Sequence, residues 1–294
     1  MSSADGRFAP SPTGTLHLGN LRTALLAWLF ARSAGARFLV RMEDLDPGRV
    51  RPGSAEEQLG DMAALGLDWD GEVVFQSRRL DLYAAALEAL RAEGLVYECF
   101  CTRAEIRSAS SAPHGPLPEG AYPGTCLRLG AAALAQRRAA GRPPALRVSA
   151  GAARVAFEDR LMGAQAGVVD DFVVRRNDGA PAYNLAVVVD DAAQGIGEVV
   201  RGADLVDSTP RQLWLARALG LPEPSHAHVP LVLGPDGDRL AKRHGDVTLR
   251  EVSPPSALEW MAGSLGMPGA TSAAELLERF DPAALPREPA VLGG

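Results

Sequence analysis

At 294 residues the chain is long enough for one large domain or two modest ones, each with a real core. Its 47% hydrophobic and 22% charged residues are ordinary for a globular protein, and no apolar run reaches the roughly 20 residues of a membrane span. The net charge of −6 works against phosphate binding, so any nucleic-acid face has to be local. Candidate basic faces are Arg49 with Arg51, Arg137 with Arg138, Arg142 and Arg147, and Arg175 with Arg176. Three cysteines are an odd count at uneven spacing, which argues against a disulfide framework and for a reducing compartment. No basic segment followed by an apolar one opens the chain, so a cytoplasmic location is expected.

In chain order, residues 6–9 read as a brief buried strand, and Pro10, Pro12 and Gly14 force a turn after it. A helix is expected from Asn20, as N-cap, to residue 34, with Gly35 at the C′ position. Residues 37–43 form a second strand, completing a strand–helix–strand unit that expects parallel pairing. That strand ends in Glu43, Asp44 and Asp46, at the edge where ligands of open α/β sheets bind. Residues 54–65 read as a helix with a Ser54/Glu57 capping box, 71–77 as a strand and 80–93 as a helix. Strand is expected at 96–101, helix at 131–140, and antiparallel strands at 146–149, 154–157 and 168–175. Residues 197–201 and 229–234 read as strands and 209–219 as a helix, and two short helices are expected beyond 253.

Two stretches carry chemistry. Strand, glycine-containing turn and helix start at 6–20 is the arrangement that binds phosphate, because unpaired N–H groups and the helix dipole face the anion. His17 and Asn20 sit at that mouth as neutral donors. Residues 237–245 form a glycine-bounded basic loop holding Lys242, the only lysine among 30 Lys and Arg. A lysine retained against such an arginine bias suggests a compact point charge set on a phosphate.

With these residues the chain resembles the class I aminoacyl-tRNA synthetases, and within them the glutamate branch. Leu16-His17-Leu18-Gly19-Asn20 is similar to the family's HIGH signature and Arg239-Leu240-Ala241-Lys242-Arg243 to its KMSKS signature. Residues 7–14, 41–47, 181–186 and 200–204 match that branch in the same order, so the resemblance spans residues 6–250. It implies an α/β fold: a Rossmann-like catalytic domain split between 1–96 and 181–250, an inserted α+β zinc-bearing lobe at 97–180, and a short helical stem at 251–294. It also implies that His17, Asn20 and Lys242 are catalytic, and that Gly19 and Leu240 join them on ATP with Mg2+ bridging the phosphates. Glu43 would take the α-ammonium of L-glutamate. Arg7, Tyr183 and Arg201, with Ser11 and the Ala9 main chain, would complete the amino-acid pocket. Asn20 departs from the second histidine of the signature; it keeps a donor and loses a titratable group.

Cys99 and Cys101, followed by Cys126 across a Ser-, Pro- and Gly-rich spacer, are three ligands of a tetrahedral zinc site. From the residues alone the fourth is Tyr122, His114 or water. The Cys-x-Cys and Tyr-x3-Cys pattern is similar to that of the glutamyl-queuosine group of the family, which favours Tyr122. Val187, four residues after Tyr183, and Arg201-Gly-Ala-Asp204 resemble that group too. Only about fifty residues follow the lysine loop, where conventional glutamyl enzymes carry a helical anticodon-binding region. The resemblance therefore implies a ligase acting as a monomer, with L-glutamate, ATP and tRNA(Asp) carrying queuosine as its partners and no membrane. The alternatives are a truncated conventional glutamyl-tRNA synthetase, a small-molecule adenylating enzyme and a catalytically silent RNA-binding paralogue.

Overall fold

A computed structural model describes residues 5–110, 121–237 and 247–292, with residues 109 and 110 described by backbone alone. Its centre is helix α1 (Leu18–Ser33), whose Leu21, Ala24, Leu25 and Leu29 have no exposed surface. A helix apolar on every side has to be buried on every side. Strands β1 (Gly6–Phe8), β2 (Phe38–Met42) and β3 (Val74–Phe75) form a parallel sheet beside it, with Arg7 opposite Leu39 and Arg41 opposite Val74. A second sheet has the order β7 (Gly163–Val168), β6 (Arg154–Asp159), β10 (Ser225–Val229), β9 (Glu198–Gly202). In it β6, β10 and β9 run parallel and β7 antiparallel. The two sheets meet where the Asp5 carbonyl accepts the N–H groups of Gly197 and Glu198 at 3.0 and 3.2 Å. β1 and β9 therefore lie side by side although nearly two hundred residues separate them. Such a switch in strand order opens a crevice at the carboxyl ends of the two strands.

Around this frame stand α2 (Ser54–Ala64), α3 (Leu80–Ala92), α6 (Tyr183–Gln194) and α7 (Thr209–Ala218). Residues 96–148 add β4 (Val96–Cys99), α4 (Arg103–Ser110), α5 (Ala131–Ala139) and β5 (Ala145–Val148). β4, β5 and β8 (Val173–Arg175) make an antiparallel sheet; of the strands expected to pair this way, 154–157 lies instead in the sheet of β10, and 168–175 is divided between the end of β7 and β8. The division at 97–180 is not a division of hydrogen-bonded units: β6 and β7 fall inside it but belong to the sheet of β9 and β10. Nor do residues 251–294 stand apart. In α8 (Pro254–Ser264), Ala257, Leu258 and Met261 are buried in the same core as α1. Beyond α9 (Ala273–Arg279), β12 (Ala290–Val291) pairs with β11 (Val232–Leu233). No helix among the described residues is long and apolar enough to cross a membrane.

Several local expectations are corrected. The N-cap of α1 is His17, not Asn20; the His17 ring accepts the Asn20 N–H, while Gly35 at φ 64° stands where the C′ glycine belongs. Gly53, at φ 80°, caps α2, so Ser54 is already helical and buried and makes no capping box. The strand expected at 71–77 shrinks to two residues, followed by a 3-10 turn at Gln76–Arg78. Cys101 lies beyond the end of β4. The strand expected at 229–234 is broken at Pro230, which lacks the N–H a ladder needs, into β10 and β11.

Candidate active site

A cavity of about 310 Å3 opens at the carboxyl ends of β1 and β9, between the strands and the first turn of α1. Eight of the residues expected to form a site line it: Arg7, Ala9, His17, Gly19, Asn20, Glu43, Tyr183 and Arg201. Ser11 does not; it is exposed, and its carbonyl accepts the Gln58 amide at 3.0 Å. Lys242, Leu240 and His114 lie outside the described residues. The chain enters and leaves the lysine segment beside the histidine turn, however. Before it, Val232 lines the cavity. After it, Thr248 bridges to His17, and Leu18 N–H donates to Val247 O at 2.9 Å. Gly19 makes this crowding possible, since a Cβ there would sit 3.0 Å from the His17 ring and 3.4 Å from the Val232 Cβ.

The charges of the cavity are counterbalanced from behind. Arg7 is held by two bonds to Asp191, at 3.1 and 3.3 Å. Arg41, with no exposed surface, donates to Asp191 at 2.7 Å and reaches Glu43 at 3.4 Å. Its Nε has no hydrogen-bond partner within reach, but the Asp190 carboxylate lies 3.7 Å away. Asp190 in turn accepts from Gln76 at 2.8 Å, Arg79 at 2.6 Å and Tyr83 at 2.8 Å. Burial raises the Glu43 carboxyl, against the pull of Arg41 and Arg7. The Asp191 carboxyl, for which burial also works upward, is held at about 2 by those same two arginines. Sequence reasoning missed Asp190, Asp191 and Arg41 as parts of this site. The aspartates' one signal was that they form a pair of carboxylates ending the apolar run 185–189 on α6, and Arg41's was its place at the head of the matching stretch 41–47.

Arg201 is 5% exposed and fully engaged behind its pocket face. It donates to His228 Nε2 at 3.0 Å, Gln212 Oε1 at 2.7 Å, Thr209 Oγ1 at 2.8 Å and Leu205 O at 3.3 Å. Tyr183 stands at the rim with 41% of its surface exposed, an unusual fraction for an aromatic residue opening a buried helix. Val187, one turn further on, is buried and lies outside the cavity.

The three sulfurs lie within 4.8 Å of one another. Cys101 and Cys126 are 3.5 Å apart, and the Tyr122 hydroxyl is 3.4 Å from Cys99 Sγ and 3.6 Å from Cys101 Sγ. Burial, with Cys126 beside it, pushes the Cys101 thiol up to about 12. At Cys126 burial works upward too, but the Phe100 N–H and the Tyr122 hydroxyl outweigh it and lower the thiol. The Arg147 guanidinium lies 3.8 Å from the centre of the Tyr122 ring. Arg147 is therefore no surface charge: it is buried and donates to Asp171 O at 2.7 Å. Arg137, Arg138 and Arg176 are paired with Glu105, Glu98 and Asp178.

The sequence profile of tRNA synthetases class I (E and Q), catalytic domain, matches residues 4–259. The chain belongs to this family. The synthetase is 61% identical over 292 residues to a protein of Nocardia farcinica named glutamyl-Q tRNA(Asp) synthetase, covering 98% of this chain and 92% of the relative. A protein of the same name from Symbiobacterium thermophilum is 51% identical over 304 residues, covering 97% and 94%. Among solved structures, a glutamate tRNA ligase of Elizabethkingia meningosepticum in complex with its amino acid superposes with a TM-score of 0.83 at 27% identity. That match covers 99% of this synthetase and 67% of the ligase. A glutamate-tRNA synthetase of Elizabethkingia anophelis gives 0.85 at the same identity, over 99% and 68%. The catalytic fold is thus the class I one. The synthetase is a ligase of that type.

Proposed function

We propose that this synthetase activates L-glutamate with ATP and transfers it to the queuosine base of tRNA(Asp). The observation that carries the amino-acid half is the meeting of Arg7, Glu43, Tyr183 and Arg201 with the His17–Asn20 turn in one cavity. The RNA half rests on the relatives that share this name along almost their whole length.

In the first step a glutamate carboxylate oxygen attacks the α-phosphorus of ATP, forming the acyl-adenylate and expelling pyrophosphate. In the second a hydroxyl of the modified base takes the acyl group and AMP leaves. The protein mainly positions groups and stabilises charge developing on phosphate oxygens. Glu43 takes the α-ammonium. Arg7 and Arg201, with Tyr183 and the Ala9 main chain, address the side-chain carboxylate, which arginine forks match well. His17, Gly19, Asn20, Leu240 and Lys242 hold the nucleotide, and Mg2+ bound with the ATP phosphates neutralises part of their charge. The buried carboxylates Asp190 and Asp191 keep the guanidiniums of Arg7 and Arg41 fixed before substrate arrives.

Cys99, Cys101, Cys126 and Tyr122 would hold one structural Zn2+; their closeness, the soft donor set and Arg147 over the phenol ring all suit it. We assign residues 97–153 and 170–180 to the RNA-facing lobe, 1–96, 154–169 and 181–250 to the catalytic part, and 251–294 to a helical stem packed on it.

The test is to charge tRNA(Asp) with labelled glutamate and map the label after fragmentation. Label in the anticodon fragment is expected; label at the 3′ end overturns the queuosine reading. Lys242→Ala is expected to abolish glutamate-dependent ATP–pyrophosphate exchange with the thermal melt unchanged. Undiminished exchange would refute its role.

A further inference from the structure

His228 and Asp159 have no part in the reaction as described above, yet they sit directly behind Arg201. Arg201 on β9 and His228 on β10 are register partners in a parallel ladder, so their side chains share one face. Asp159 ends β6, the next strand, where its carboxylate accepts the His228 backbone N–H at 3.2 Å. His228 Nδ1 lies 2.6 Å from Asp159 Oδ2, and neither side chain has exposed surface.

The proton on this ring can be located. The Arg201 Nε–H can only donate, so at 3.0 Å the His228 Nε2 has to be its acceptor. The ring is then neutral, with its one hydrogen on Nδ1, donated to Asp159. Ionisation agrees with this geometry. Burial keeps His228 below its ordinary value, and bonds from His228 and backbone N–H groups hold Asp159 at about 2 although burial works upward.

We propose that Asp159 and His228 are positioning residues that fix the Arg201 guanidinium for the side-chain carboxylate of a dicarboxylic amino acid. The inference rests on the glutamate reading of the pocket. Its logic is that of an oriented imidazole: the carboxylate selects the tautomer, the tautomer presents a lone pair, and the lone pair sets the arginine. With the proton on Nε2 instead, two N–H groups would face each other and the guanidinium would have to turn away. Asp159 lies on β6, inside the stretch 97–180 where the resemblance places an inserted lobe, so a strand of that stretch supports amino-acid recognition.

The experiment is glutamate-dependent ATP–pyrophosphate exchange by the full chain, with KM measured separately for glutamate and ATP. Asp159→Asn keeps an oxygen for the Leu161 and Met162 N–H groups at 3.0 and 2.9 Å but turns an amide N–H toward Nδ1. Asp159→Asn and His228→Ala are expected to raise KM for glutamate by about tenfold or more, the size of one lost charge-assisted bond, and KM for ATP by less than about twofold. His228→Gln, whose amide oxygen reaches the Nε2 position, is expected to recover most of the loss. Nitrogen-15 spectra of the wild type should show Nδ1 protonated, and those of Asp159→Asn should show Nε2 protonated. The proposal is overturned by unchanged KM for glutamate, by equal rises for both substrates, or by a wild-type Nε2–H tautomer. Should His228→Ala fail to fold, His228→Asn, which has no acceptor at the ε position, replaces it in the comparison with His228→Gln. A wild type whose exchange ignores glutamate overturns the functional reading instead, and the tautomer then decides the dyad alone.

Discussion

At the scale of single residues, the synthetase concentrates its buried charge around the cavity. Asp191 faces two arginines, Arg7 and Arg41, and all three are almost sealed from water. Removing one partner of such a set leaves uncompensated charge in a low-dielectric interior. Asp191→Asn is expected to cost about 3–5 kcal/mol in urea unfolding, more than the same change at exposed Asp178. The buried histidines give the pH dependence. Burial, then Arg201 and His228, lowers His226 to about 3, with Arg7 adding and Asp191 opposing. The folded state therefore resists a proton that the unfolded chain accepts near 6.5. Its contribution is complete above that pH and is lost as pH falls from 6.5 toward 3, at about 1.4 kcal/mol per pH unit. Urea midpoints should drop between pH 7.5 and 5, and drop less in His226→Gln. A pH-independent midpoint would contradict the burial argument.

At the scale of elements, the start of α1 is the most constrained turn of the site. The Gly19→Ala methyl would press on the His17 ring and on Val232, moving the cap without touching the helix interior. Exchange activity is expected to fall roughly 10- to 100-fold with helix content kept, because small misplacements of positioning groups are costly. The thiol cluster forms a second such element. Metal analysis is expected to find one zinc per chain, lost in Cys126→Ser. Its removal should open the segment around Cys126 to proteolysis while glutamate activation, served by other strands, persists. The segment 225–229 gave no strand signal because Ser225, His226 and His228 interrupt its pattern, yet β10 is buried on both faces. His228 is inside because Asp159 and Arg201 satisfy its two ring nitrogens, and His226 stacks on it with ring centres 5.9 Å apart, which no local pattern reveals.

At the scale of the whole molecule, the C-terminal residues complete the catalytic core. Arg22 of α1, 1% exposed, donates to Ser264 Oγ at 2.9 Å and to Pro230 O at 2.8 Å. It thereby ties the central helix to α8 and to the link that leads into β11. Burial lowers this guanidinium to about 10, and its bonds have to offset that cost. Arg22→Ala would leave a cavity beside α1 and two half-buried acceptors without this donor, and is expected to lower stability by about 3 kcal/mol, read from thermal or urea melts. Phe280 against Phe30, with ring centres 5.3 Å apart, fastens the end of α9 to the same helix.

The order of the motifs, the buried helix between two parallel strands and the convergence of three sulfurs could be read from the sequence by itself. These rest on signals written along the chain itself: backbone propensity, turn chemistry and the spacing of ligands. The tertiary structure alone decided that His17 rather than Asn20 caps α1, that β6 joins the sheet of β9, and that Asp191 and His228 stand behind Arg7 and Arg201. Each of those outcomes is set by which groups are removed from water together. Partners such as Arg201 and His228, 27 positions apart, or Arg7 and Asp191, 184 apart, settle that by packing, and a linear chain carries no local mark of it.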